Sequence, residues 1–325
     1  MKAFATAPAK TILLGEHFVV YGEPAIVTAI DRRAKVTAQE SSGTSVDITS
    51  DLGSGIFEGE GFKTSNGRED IRRVLEPIRI STQSVLNHLK LKRGVSLSVE
   101  SDIPVAVGLG SSSAVSVATV AAVSLLFDAS LSTRDIFSLA LDAEKFVHEN
   151  PSGIDQRVST FGGIILYRRG DASTKLQCPV QLPLVIGNTG KSRTTGRLVE
   201  SVRQRRERLP SIMGQLTKIA GSLVDEGAAA LKKGDLQRFG ELMDVNHGLL
   251  VSAGVSTEAL DRLVHAAKAA GALGAKLTGA GGGGCIVAIC EPGAQSNVAD
   301  GIKRAGGEPI IVEKADTGVQ AWVEE

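Results

Sequence analysis

The chain is poor in aromatic residues: Phe, Trp and Tyr make up only 4% of its 325 residues. Proteins that grip single-stranded nucleic acid stack bases on aromatic side chains, so this composition argues against such a surface. Net charge is missing too, because 36 Lys+Arg balance 36 Asp+Glu. No global field draws nucleic acid or an anionic membrane. Cysteine is scarce; Cys178, Cys285 and Cys290 form an odd set without a CxxC pair. A reduced, cytoplasmic protein is the simplest reading. No stretch reaches the roughly 18 uncharged apolar residues of a membrane span. The opening "MKAFATAPAKTILLGEH" lacks the long apolar core of a signal peptide. The longest small and apolar run, "AVSVATVAAVSLLF", is broken by hydroxyls and reads as a buried helix.

What is present suffices for a packed core. Hydrophobic residues are 42% of the chain, and its length predicts two domains, 1–180 and 181–325. In the first half, "KAFATAP", "KTILL", "AIVTAI", "KVTAQE" and "VSLSVES" read as separate short strands. "DIRRVLEPIRISTQSVLNHLK" reads as a helix disturbed at Pro77. "STRDIFSLALDAEKFVHEN" is the clearest helix, with Ser132 and Asp135 spaced as a capping pair. In the second half, Pro210 opens a helix, and Gly234 followed by Asp235 ends it and caps another. "STEALDRLVHAAKAAGALG" is a further helix, "CIVAIC" a strand, and "EPIIVEK" is expected to be the last strand.

Four clusters carry possible chemistry. In "IPVAVGLGSSSA" a Gly loop leads into a helix, leaving backbone N–H groups at a positive helix end that suits phosphate. A Walker A lysine and a Rossmann third glycine are both missing. A tight turn capped by a serine is the competing reading, although three serines exceed what one cap needs. "TGAGGGGC" formally satisfies GxGxxG, but here a helix is expected before the glycines and a strand after them, the wrong order for a dinucleotide fold. The backbone must pass close to a neighbouring helix or to a ligand. In "EKFVHENPSGIDQRVSTFGG", Glu144 could hold Mg²⁺ beside a hydroxyl of the Gly loop. His148, four residues on, suits a helix-end hydrogen bond, and Asp155 follows a turn, as a cap or as a functional carboxylate. In "APAKTILLGEHFVVYGEPA", Lys10 reads as a solvated strand residue or a site lysine, with Glu16 and His17 at a turn. His88, His247 and His265 show no metal-ligand spacing, and no Ser-His-Asp arrangement is legible. The basic run "RQRRER" reads as a solvated helix face.

Together these segments resemble the GHMP kinases. "PVAVGLGSSSA" is similar to their ATP-binding motif and "KLTGAGGGGC" to their C-terminal glycine motif. "APAKTILLGEHFVVYGEPAI" and "HENPSGIDQRVSTFGG" resemble the mevalonate kinase branch. The resemblance implies an α+β, two-domain GHMP kinase fold, with an N-terminal ribosomal-protein-S5-like domain and a C-terminal ferredoxin-like α/β domain. It implies ATP and Mg²⁺ as cofactors and phosphorylation of mevalonate at its 5-hydroxyl, in isoprenoid biosynthesis. Asp155 matches the catalytic aspartate and Lys10 its lysine partner. Gly108, Leu109, Gly110, Ser111, Ser112 and Ser113 fall in the phosphate loop, and Ser112 and Glu144 match the Mg²⁺ ligands. Glu16, His17 and Thr195 match the substrate region, with Lys10 and Asp155, and Gly281 and Gly282 match the supporting C-terminal loop. Ala106, Val107, Ser113 and Gln156 depart from the commoner residues. Phosphomevalonate kinase, with Arg193 and Arg197 meeting a substrate phosphate, and a mevalonate 3-kinase are alternatives within the superfamily. An inactive nucleotide- or metabolite-sensing regulator is the alternative from another class. A homodimer is compatible with the sequence; nucleic acid and membrane are not expected partners.

Overall fold

The computed structural model describes residues 1–67, 70–104, 107–147, 153–168, 173–191 and 195–324. The chain opens with one long strand, β1 (Lys2–Leu14), where two short ones were expected. Pro8 cannot donate to a ladder. The register against the next strand shifts between Pro8 and Ala9, and that bulge lets the strand continue. Ala3, Ala5, Ala7 and Ala9 alternate along it and are all fully buried. After a 3₁₀ turn at Phe18–Tyr21 comes β2 (Ala25–Ser41), antiparallel to β1. It too replaces two expected strands, running straight through Asp31-Arg32-Arg33. The Arg33 guanidinium is absorbed there by donating to the Thr6 and Gly318 carbonyls.

β3 (Val46–Ser50), β4 (Gly53–Glu58) and β5 (Gly61–Gly67) form a meander. Helix α1 (Ile71–His88) passes through Pro77 without interruption. Burial of Leu75, Ile78 and Val85 against the core holds it despite the lost backbone donor. β6 (Gly94–Ser101) then leads to α2 (Ser111–Leu126), α3 (Thr133–Val147), α4 (Ile154–Phe161), β7 (Ile164–Tyr167) and β8 (Thr174–Leu176). Helix α2 is apolar almost all round and buried almost all round. Two of its buried hydroxyls are satisfied within the helix: Thr119 donates to the Val115 carbonyl and Ser124 to that of Ala121. The expected Ser132–Asp135 cap on α3 is present, Ser132 Oγ donating to Asp135 Oδ2 at 2.6 Å and accepting from the Asp135 N–H.

The second half comprises β9 (Leu184–Asn188), α5 (Thr195–Arg208), α6 (Pro210–Lys233), α7 (Leu236–Ala253), α8 (Glu258–Ala269), β10 (Gly274–Thr278), β11 (Cys285–Ile289), α9 (Gln295–Arg304) and β12 (Glu308–Val312). Asp235 caps α7 by accepting from the Arg238 N–H. Two expectations change here. A strand, β10, intervenes between helix α8 and the glycines, so "TGAGGGGC" is the connection of a β-hairpin. And β12 is not the last strand: β13 (Gln320–Glu324) follows.

The described residues form two sheets, in an α+β fold. The first has order β13-β1-β2-β6-β3-β4-β5, with β7 on β2 and β8 on β7; the second is antiparallel, in order β10-β11-β9-β12. Among the described residues, no helix is long and apolar enough to cross a membrane.

Candidate active site

Between β6 and α2 the chain turns at Gly108 and Gly110, whose φ values of 86° and 77° lie in the left-handed region open to glycine. Gly110, not a serine, occupies the N-cap position of α2, so no side chain caps the first turn. The reading of a turn with a serine cap is thereby corrected. The leading N–H groups of α2 stay available to a ligand, as do the positive end of its dipole and the run of serines. Gly108 to Ser113 line a cavity of about 430 Å³.

Lys10 reaches this cavity from β1. Its Nζ lies 3.0 Å from Asp155 Oδ1, and its backbone N–H donates to the Leu109 carbonyl at 2.9 Å. The lysine is buried, so its charge needs a partner, and Asp155, in the first turn of α4, supplies it. Gly110 gives it room, since a Cβ there would stand 2.9 Å from Lys10 Cγ.

Glu144, on α3, completes the acidic side. Burial first, and then the Asp155 carboxylate, push its carboxyl up to about 7, while Lys10 and a hydrogen bond from the Gly153 N–H act in the opposite direction. Its Oε2 is buried and has no hydrogen-bond partner among the described residues. A buried, unpartnered carboxylate oxygen beside a second carboxylate is a poor structural element and a good cation ligand.

The opposite wall comes from the turn after β1 and from the second sheet. Gly15, at φ 97°, donates its N–H to Asn246 Oδ1 of α7 at 2.9 Å. Glu16 forms a fully buried ion pair with Lys276 of β10. His17, itself at φ 61°, donates from Nε2 to the Ala280 carbonyl at 2.9 Å. Nearby, the Thr278 hydroxyl bonds Thr11 Oγ1 at 3.1 Å and accepts from the Ile12 N–H. The cavity floor is thus stitched to both sheets.

The cavity brings together Lys10, Glu16, His17, Gly108, Leu109, Gly110, Ser111, Ser112, Ser113, Glu144 and Asp155. Gly281 and Gly282 stand behind its wall. A Cβ on Gly281 would meet the Val255 carbonyl at 2.1 Å and one on Gly282 would meet the Leu198 side chain at 2.7 Å, while Gly279 and Ala280 face the cavity. Thr195 begins α5, but its side chain lies outside the described residues, as do Ala106, His148 and Arg193. Sequence reasoning missed Lys276, the buried partner of Glu16, and the apolar lining of Ile12, Val19, Val20 and Val199, and it singled out Gln156, also in the lining, only as a departure from the commoner residue. A second cavity of about 770 Å³, lined partly by Leu52, Ile78, Val99 and Ile103, shares Pro104, Ser111 and Ser112 with the first.

Two family models match the sequence: the GHMP kinases N terminal domain over residues 76–163 and the GHMP kinases C terminal over 228–308. The chain is 44% identical to a mevalonate kinase of Pyrococcus abyssi, covering 97% of this chain and 96% of that one. It is 42% identical to a mevalonate kinase of Thermococcus sibiricus, covering 98% of each. Among solved structures it is similar to L. major mevalonate kinase in complex with R-mevalonate, with TM-score 0.83, 28% identity, and 95% and 94% of the two chains covered. It is equally similar to the Methanococcus jannaschii mevalonate kinase, with TM-score 0.83, 25% identity and coverage of 96% and 98%.

Proposed function

Because the chain belongs to the mevalonate kinase family of the GHMP kinases, we infer that it transfers the γ-phosphoryl group of ATP to the 5-hydroxyl of mevalonate. The observation that carries this reading is the meeting of Lys10, Asp155 and Glu144 at an uncapped, glycine-led helix N-terminus. Phosphoryl transfer asks for alignment and charge neutralisation more than for covalent catalysis.

In this reading the α2 N-terminus and the loop from Gly108 to Ser113 hold the ATP phosphates. The larger cavity, adjoining through Pro104, Ser111 and Ser112, takes the nucleoside. Mevalonate lies against Glu16, His17 and the apolar wall. The 5-hydroxyl oxygen forms the new bond to phosphorus, the bond to the ADP oxygen breaks, and Asp155 orients the hydroxyl or takes its proton. Lys10 stays beside Asp155 and neutralises charge that builds on the transferring group.

Glu144 and the Ser112 hydroxyl would hold Mg²⁺. The orphaned Glu144 Oε2 fits that role, and Mg²⁺ is commonly held by one or two carboxylates and substrate phosphates. When bound, the ion supplies neutralisation of the phosphate oxygens. A cytoplasmic location and a homodimer belong to the same reading. The exposed Ile212, Ile219, Val245 and Val251 of α6 and α7 offer the apolar surface a dimer would bury.

A coupled ADP-release screen over mevalonate, phosphomevalonate, homoserine and galactose tests the reading. Turnover on mevalonate is expected, with the product's phosphorus coupled to the C5 protons by NMR. Preference for phosphomevalonate, phosphate on the 3-oxygen, or no turnover on any of the four overturns it. Analytical ultracentrifugation reads the assembly state.

A further inference from the structure

Lys276 takes no part in the chemistry above, yet it is a fully buried charge standing behind the cavity wall, on the far side of Glu16. It lies mid-strand in β10 with 0% exposure. A lysine so placed needs acceptors, and it has two: Glu16 Oε1, in the ion pair, and the Leu277 carbonyl at 2.7 Å. Glu16 is only 1% exposed. Its other oxygen, Oε2, has no hydrogen-bond partner among the described residues, although Glu16 lines the cavity. A buried carboxylate oxygen left without a donor is costly unless a ligand supplies one.

The turn carrying Glu16 has little freedom to bring Oε2 to another partner. Gly15 is tied to Asn246, and a Cβ on Gly15 would meet the Pro24 carbonyl at 2.5 Å. His17 is tied to the Ala280 carbonyl. Lys276 therefore occupies one oxygen of the carboxylate and fixes the direction of the other. The cavity that Glu16 lines also presents the apolar Ile12, Val19, Val20 and Val199, which suit a substrate whose apolar part carries a single polar donor for Oε2. An uncharged hydroxyl satisfies that description.

We propose that Lys276 is a positioning residue for substrate recognition: it fixes Glu16 so that Oε2 accepts a hydrogen bond from the hydroxyl of the alcohol substrate that is not phosphorylated. The proposal rests on the mevalonate reading given above and deepens it.

A double-mutant cycle on the full chain tests it, with Glu16→Gln, Lys276→Met and Glu16→Gln/Lys276→Met. The readouts are kcat, KM for mevalonate, KM for ATP and the thermal midpoint. Lys276→Met is expected to raise KM for mevalonate by about tenfold or more, with KM for ATP within about twofold of wild type. In the Glu16→Gln background, adding Lys276→Met should leave KM for mevalonate unchanged, because the lysine acts only through the carboxylate. The double variant should also recover part of the thermal midpoint lost by Lys276→Met, since no unpaired buried charge remains. Equal rises in both KM values, or rises that multiply in the double variant, mean a purely structural role and overturn the proposal. If Lys276→Met does not fold, the comparison of Glu16→Gln with the double variant decides the matter alone. Wild-type turnover of mevalonate separately decides the underlying reading. Should another alcohol prove to be the substrate, the same cycle on its KM still decides the role of Lys276.

Discussion

Lys10 joins the Gly108–Ser113 loop to the Asp155 carboxylate: its Nζ lies 3.0 Å from Asp155 Oδ1 and its backbone N–H bonds the Leu109 carbonyl at 2.9 Å. Asp155→Asn keeps an oxygen that can accept from Nζ, so the fold should persist. Turnover should fall by about 10²–10⁴, the range for loss of a positioned acid or base. ADP release under saturating substrates measures this, and circular dichroism checks the fold. Retention of a tenth of wild-type turnover or more, on the scale of that range, removes Asp155 from the chemistry.

Lys10→Met should reduce kcat to a similar degree by removing charge stabilisation. It should also push Glu144 higher, since Lys10 is among the groups holding that carboxyl down. The pH at which Mg²⁺ dependence appears should move upward in this variant. Titrations of activity against Mg²⁺ at several pH values would show it, and an unmoved profile would count against the coupling.

Glu144 gives a stability test with a definite sign. Its folded-state value of about 7 lies above the ordinary 4.5, so between these values the folded state holds more protons than the unfolded one. Stability without Mg²⁺ should therefore decline as pH rises from about 4.5 to about 7 and then level off. Glu144→Gln removes the buried charge. Its thermal midpoint should exceed wild type by roughly 2–6 °C at pH 8, with the gain fading near pH 5. The same variant should lose high-affinity Mg²⁺ activation. Scanning calorimetry at the two pH values, with and without the ion, distinguishes these outcomes.

Gly281 and Gly306 have similar backbone angles, φ 76° and 83°, but different surroundings. A Cβ at Gly281 would overlap the Val255 carbonyl at 2.1 Å, whereas nothing lies within 4 Å at Gly306. Gly306→Ala should cost only the left-handed backbone penalty, about 1–2 kcal/mol. Gly281→Ala must in addition move the hairpin connection or helix α8's lead-in, and should cost clearly more. Urea denaturation of both variants measures the difference; equal midpoints would contradict it.

Much of this site was legible because its residues are close in sequence. The Ser132–Asp135 and Asp235 caps, the Gly108 loop and the α2 helix all depend on neighbours a few residues apart. Lys276 was invisible for the opposite reason. Its partner Glu16 is 260 residues away, and a lone lysine in a short strand is ordinarily assigned to solvent. The strand count failed for related reasons. Pro8 and the Asp31-Arg32-Arg33 group signal breaks locally, but a bulge and the distant carbonyl of Gly318 absorb them. Strand β13 carries a short, exposed pattern, and only the edge of β1 gives it a place.

That placement has a consequence for biosynthesis. Lys10, Glu144 and Asp155 all belong to the part of the chain made first, yet the sheet beneath them is completed on its β1 edge by residues made after the whole second sheet. The segment leading there also clasps the end of α4: Val319 donates to the Thr160 carbonyl, and Gly318 lies so close that a Cβ would stand 2.0 Å from that oxygen. A nascent chain halted before Gly318 would hold Lys10, Glu144 and Asp155 and still present an open strand edge and an unclasped helix α4. The β1 edge is therefore closed only when the chain returns past the second sheet, and an amino-terminal half would lack both that strand and the cavity wall that Gly279 and Ala280 supply.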